Sequence, residues 1–230
     1  MTHQRLAHNL CLILVRIGVA FVTMSCTLIS ASPLQEFNTA LVDQGNLSTF
    51  QAVALLDLNQ VKPARSYVYW EWIAVMDTTP HTMASGGQMT RTKLSPTTQA
   101  ALDNFSLWQD STEGFGHDCL PALCWQYVVT VDGEQIQQWT KPSEIKRFLG
   151  AIDTLADAVL LVEATGVISL ELIIPTADGY SVVVRRDGAG DDANCQLISL
   201  NIYRELRQIT YTGQISVVAR KLIDRVCQVY

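Results

Sequence analysis

The residues with chemical potential gather in three short runs. Residues 114–119 read Gly-Phe-Gly-His-Asp-Cys, placing an imidazole, a carboxyl and a thiol side by side at His117, Asp118 and Cys119. With Cys124 they offer ligands that zinc accepts, and a thiol next to a histidine is half of a nucleophilic pair. Zinc sites, however, use closely spaced pairs and need reduced thiols. Trp70-Glu71-Trp72 sets a carboxyl among indoles, surroundings that raise an acid's pKa and that also stack on sugars. Strand alternation sends Glu71 to the side opposite both indoles, so an aromatic core strand with one polar position is the plainer reading. Asp187, Asp191, Asp192 and Asn194 crowd oxygen-bearing side chains into residues 187–194. Calcium takes such ligands, but the EF-hand order with its closing glutamate is missing, which favours a solvated turn. His81 stands alone in a polar stretch. The chain has no P-loop, dinucleotide glycine signature, nucleophile-elbow serine or His-Glu zinc helix, so no cofactor is expected.

The elements that must position these groups centre on residues 140–166. Thr140 offers a hydroxyl to cap a helix, Pro142 suits its first turn and Gly150 stops it. Ile145, Phe148 and Leu149 share a face, with Glu144, Lys146 and Arg147 turned to water. A second start at Asp153 and Thr154 leads into a helix closed by Gly166, with Leu155, Ala158, Val159 and Val162 inward and Leu160 and Leu161 widening the stripe. Strand-like sequence flanks the pair. Residues 66–76 are aromatic and β-branched on both faces, which predicts a central strand. Residues 125–139 predict a hairpin turning on Asp132-Gly133, with the return strand nearer an edge. Beyond Gly166 the period returns to two. A strand at 167–174 stops at Pro175, Asp178-Gly179 turns into 180–186, residues 187–194 form a polar loop, 195–203 is a strand, and a last hairpin turns at Thr212-Gly213. Elsewhere, helix is expected at 34–42, 48–56 and 96–109, the last opened by Ser95-Pro96, and a long loop at 77–94.

Residues 1–31 read as an export signal. Arg5 and Arg16 are basic, no acidic residue precedes Glu36, and a short apolar run ends in small residues. Ile29-Ser30-Ala31 suits ordinary cleavage, giving a signal of residues 1–31 and a single domain of 32–230. Cys26, preceded by Thr23-Met24-Ser25, gives the alternative, a lipoprotein signal of residues 1–25 with Cys26 acylated. Four cysteines follow the leader, Cys119, Cys124, Cys195 and Cys227, and an even number in an exported chain reads as disulfides. Of the three possible pairings we expect Cys119 with Cys124 and Cys195 with Cys227, the longer loop stabilising by about 3 kcal/mol. The chain carries a net charge of −6, and loss of the leader removes basic residues only. With no basic cluster, a nucleic-acid partner is not expected.

The run Phe148-Leu149-Gly150-Ala151-Ile152-Asp153-Thr154, followed by Ala156, Ala158 and Leu160, with the Asp132-Gly133 hairpin before it and a terminal cysteine after it, resembles small exported bacterial proteins of uncharacterised function. The similarity spans Cys124 to Cys227 and implies export and an α+β fold, with no activity attached.

These readings combine into an α+β domain, an antiparallel sheet with a two-helix insertion packed on one face. The function expected is a non-enzymatic binding or interaction domain, secreted or in the periplasm or cell envelope, whose partner is a protein or envelope component. Two alternatives come from other classes: a secreted hydrolase built on Glu71 or on His117 and Asp118, and a calcium-stabilised adhesion-type module using the 187–194 loop.

Overall fold

The computed structural model describes residues 51–52, 56–76, 79–106, 114–115, 124–190 and 198–228. Two antiparallel sheets replace the single sheet expected from the sequence. One is four-stranded, in the order β3-β2-β4-β5, from β2 (Tyr69–Met76), β3 (Thr79–Gly86), β4 (Cys124–Asp132) and β5 (Gln135–Trp139). The other is five-stranded, in the order β1-β6-β7-β8-β9. It comprises the two-residue β1 (Gln51–Ala52), β6 (Ser169–Thr176), β7 (Gly179–Ala189), β8 (Ile198–Thr210) and β9 (Ile215–Gln228). Three α-helices accompany them: α1 (Pro96–Ser106), α2 (Pro142–Leu149) and α3 (Leu155–Glu163).

The helix pair has more than one apolar face to bury. Every residue of α3 from Ala156 to Val162 is buried, which a helix lying on one sheet with its back to water does not achieve. One hydrophobic cluster accordingly joins Trp70, Trp72 and Val128 of the four-stranded sheet, Val182, Val184 and Ile209 of the five-stranded sheet, and Phe148, Leu160 and Leu161 of the helices. Phe148 is fully buried and has the rings of Tyr67, Trp70 and Trp139 within 5.8 to 6.0 Å of its own, a favourable aromatic range. The other face of the four-stranded sheet, with Tyr69, Ile73, Tyr127 and Val129, packs under Leu94 and Leu102. β2 and β4 are therefore buried on both faces, as expected for β2.

Local chemistry sets the helix ends. Ser95 Oγ accepts the Thr98 N–H at the start of α1. At α2 the expected Thr140 cap is inverted: the Glu144 carboxylate accepts the N–H groups of Thr140 and Lys141. At α3 the capping box is complete, with Thr154 Oγ1 accepting from Asp157 N–H and the Asp157 carboxylate accepting from Thr154 N–H. Asp157 also accepts from Asp153 and Lys62, so one fully buried carboxyl ties the helix start to a segment 95 residues earlier. Gly150 and Gly166 both sit at φ 70°, the left-handed region that ends helices cheaply only in glycine.

Several expected boundaries shift. The 77–94 loop is largely β3, an edge strand paired to β2 and bulged opposite Trp72 and Ile73. Only Ala84 of β3 is buried, so the strand lacks the apolar alternation that would reveal it. The helix expected at 48–56 meets β1, since Gln51 pairs with Ile173; that expected at 34–42 lies outside the described residues. The turn expected at Asp132-Gly133 sits one residue later, because Asp132 still pairs with Gln135 and Gly133, at φ 63°, opens the two-residue loop. β6 runs through Pro175 rather than stopping there, with Pro175 exposed and opposite Tyr180. β7 extends through Asp187 to Ala189, into the expected polar loop.

Asp157→Ala strips three backbone N–H groups of their acceptor in a buried setting. The expected loss is about 3 kcal/mol or more in chemical denaturation, with Asp157→Asn, which keeps one acceptor oxygen, losing less.

Candidate functional site

Among the described residues, four clusters of polar and charged side chains stand out on this frame, three of them closed. The first holds Glu71. Its carboxylate is fully buried, accepts the Tyr69 hydroxyl at 2.9 Å and receives Arg91 on both oxygens at 2.7 Å; Arg91 continues to Asp103 at 2.6 Å. Glu71 lies on the face away from Trp70 and Trp72, which belong to the helix-side cluster, so the indole-flanked acid does not form. Burial, and then the negative charge of Glu71, raise the Tyr69 hydroxyl pKa well above its ordinary value. This group locks the 91–103 segment onto β2.

The second cluster runs from Trp72 to Glu163. The indole N–H donates to Gln126 Oε1 at 2.7 Å, and Gln126 Nε2 donates to Glu163 at 3.3 Å. Burial pushes the Glu163 carboxyl up to about 7 against the pull of Gln126. The third ties β8 to the end of α3. Glu205 accepts Arg207 at 2.7 Å and Arg220 at 2.6 Å, and Arg207 donates to Thr165 Oγ1 at 2.7 Å. Glu205 and Arg207 are both buried.

The fourth cluster is open and lies on the opposite face of the five-stranded sheet. Arg185 of β7 stands directly across from Arg204 of β8, and Arg204 directly across from Lys221 of β9. Like charges in directly opposed positions destabilise a sheet. Glu171 offsets part of that cost, accepting Arg185 Nε at 2.6 Å and Arg204 Nε at 2.7 Å; Lys221 has no ion-pair partner among the described residues. Two β-bulges shape the place. In β6 the register slips between Leu170 and Leu172, so Glu171 reaches the same face as Leu172. In β9 it slips between the partners of Ile202 and Tyr203, leaving Ile223 as the extra residue beside Asp224. Bulges re-aim side chains in this way next to binding sites. The result is a groove of about 500 Å³ lined by Ile168, Arg185, Ile202, Arg204, Ile223 and Asp224.

The other residues singled out in the sequence are distributed as follows. His117, Asp118, Cys119, Cys195, Asp191, Asp192, Asn194 and Cys26 lie outside the described residues. Cys124 begins β4, and Cys227 lies on β9 opposite Ser199. Asp187, expected in a loop, is in β7 opposite Ile202. His81 is exposed on β3 opposite Ala74. Among the described residues no three His, Cys, Asp or Glu side chains converge to hold a metal, and no helix is long and apolar enough to cross a membrane. The groove escaped sequence reading because its members come from several strands and meet only once register and bulges are known; the basic pairs Arg185-Arg186 and Arg220-Lys221 were the available signals.

No family model, curated protein or solved structure matches the chain.

Glu163 generates a pH prediction. Between its ordinary value of 4.5 and about 7 the folded chain holds this proton and the unfolded chain does not, so its contribution to stability falls as pH rises through that window. Glu163→Gln removes the dependence. Against wild type, urea melts are expected to show little difference below pH 4.5 and a gain of up to about 3 kcal/mol above pH 7.

Proposed function

We propose that this chain is an exported binding domain of the cell envelope or the extracellular space, without catalytic machinery, and that it holds its partner in the groove between β6 and β9. The observation that carries this reading is the row Arg185, Arg204 and Lys221, cations set face to face at a cost that the fold does not recover through Lys221. Aliphatic side chains beside them are exposed as well: Ile168 at 42% and Ile223 at 36%. Charge and apolar surface gathered in one concavity is the composition of a recognition site. Glu71, the catalytic candidate that the structure describes, is enclosed by Arg91 and Tyr69, which supports a structural use.

Export is supported by the leader-like composition of residues 1–31, and the disulfides Cys119–Cys124 and Cys195–Cys227 belong to the same proposal. So does the finer architecture, in which the helix pair is an insertion packed on the helix-side faces of the sheets as a rigid wedge. Rigidity behind a groove is what holds exposed recognition groups in place.

Two measurements test the proposal. The mass of the mature chain is expected to begin at Ser32, or at acylated Cys26 in the lipoprotein alternative; an intact leader would remove the export claim. A photo-crosslinking residue replacing Ile223, in the cells that make the protein, is expected to capture an envelope or extracellular component. The same residue at Met89, 47% exposed and on the other sheet's connection, is expected to capture nothing. Capture at Met89 with none at Ile223 would move the binding face elsewhere.

A further inference from the structure

We infer that residues 90–104 form a strap that lifts as a unit from the four-stranded sheet, with the Arg91–Glu71 ion pair as its latch. The inference concerns the other sheet from the groove and does not depend on it. The strap begins where the backbone is last tied to the sheet. Gln88 and Met89 donate their N–H groups to the carbonyls of Tyr67 and Val68, and Gly87, at φ 120°, packs so closely that a Cβ there would lie 2.8 Å from the Tyr69 Cα. From Thr90 onward the bonds turn inward on the segment itself. Lys93 N–H reaches the Thr90 carbonyl and Leu94 N–H that of Arg91, Thr98 N–H reaches Ser95 Oγ, and Gln99 Nε2 donates to the Leu94 carbonyl. Arg91 then clasps Asp103 at 2.6 Å, fastening one end of the segment to the other. All of these bonds survive if the segment moves as one body.

Among the described residues, the anchors to the sheet are few. Of residues 90–104 only Leu94 and Leu102 are buried. They cover the face of β2 and β4 that carries Tyr69, Ile73, Tyr127 and Val129. Glu71 is fully buried there and takes Arg91 on both oxygens at 2.7 Å. Segments with few buried apolar groups open at a lower free energy than the whole fold. The charges suit two states. Closed, Arg91 sits between Glu71 and Asp103; lifted, Arg91 leaves with Asp103, and Glu71 meets water while keeping the Tyr69 hydroxyl. Neither state strands a buried charge, the penalty that would otherwise forbid release. β2 stays paired between β3 and β4, so the sheet need not unravel for the strap to move.

Native-state hydrogen exchange of the full chain, read by mass spectrometry, compares α1 with β4. Amides of residues 99–104 are expected to open about a hundredfold more often than those of residues 128–131. Arg91→Gln is expected to raise exchange of α1 relative to β4 about tenfold. Glu71→Gln, which keeps an acceptor for Tyr69, is expected to do the same, and the double variant to add nothing further. Hydroxyl-radical labelling reads the uncovered face: Tyr127 gains label in either variant, whereas Trp72, on the opposite face, does not. Exchange of α1 at the β4 rate would make the strap part of one cooperative unit. Fast exchange of α1 that neither variant changes would be fraying without a latch. Each of these results overturns the inference. So does an equal rise in α1 and β4, the mark of a variant that merely weakens the whole fold.

Discussion

A helix buried on all sides must have its end groups satisfied inside the protein, and this requirement organises the molecule around α3. Residues Ala156 to Val162 are all buried and Leu155 and Glu163 at the ends are half-buried, so free N–H and C=O groups shielded there need protein partners. At the first end Asp157 accepts three backbone N–H groups, one of them from Lys62. Burial raises its pKa despite these donors, so the carboxylate is a concentrated cost that the network offsets. At the second end Thr165 donates its hydroxyl to the Val162 carbonyl while accepting Arg207, bringing a cation to the negative end of the helix dipole. Glu205 then balances Arg207 and recruits Arg220 from β9. The ion pairs on the inner face of the five-stranded sheet thus answer a need of the helix. Pairs this deeply buried add little net stability, yet losing one partner strands the other, which makes the arrangement strongly selective for its own geometry.

The features legible in the sequence are those written in consecutive residues. The two helices, their glycine stops and the Thr154 start appear as punctuation that acts locally, and the structure places them within a residue or two. β2 was legible because aromatic and β-branched residues fill both of its faces. The apolar run across Leu160 and Leu161 was also visible as a stripe too wide for a one-sided helix. Its consequence, a single cluster shared with strands of both sheets, depends on how distant strands close around it, and the sequence carries no local mark of that closure.

What was illegible follows from the same distinction. β3 is polar because it is an edge strand with only Ala84 buried, and exposure erases the alternation by which strands are recognised. Glu71 was legible as a carboxyl among indoles, but its partner Arg91 lies 20 residues away, beyond any spacing rule. The groove was the least visible of all. Arg185, Arg204 and Lys221 are spread over three strands, and a shift of one residue in either pairing would turn a member of the row to the other face.

The strand β8 shows how one run of residues can serve the two faces of a sheet in different ways. In Arg204-Glu205-Leu206-Arg207, successive side chains point to opposite faces. Glu205 and Arg207 turn inward to close the end of α3, where both are buried. Arg204 turns outward to join Arg185 and Glu171. The inner pair cannot be released without exposing the helix end, whereas the outer row can change its company at little cost, because Arg185 and Lys221 already face solvent. The same residue types therefore carry opposite consequences within four positions of one strand. A composition count would score both as surface charge; only the face each one occupies separates the groups that hold the fold from those left toward solvent.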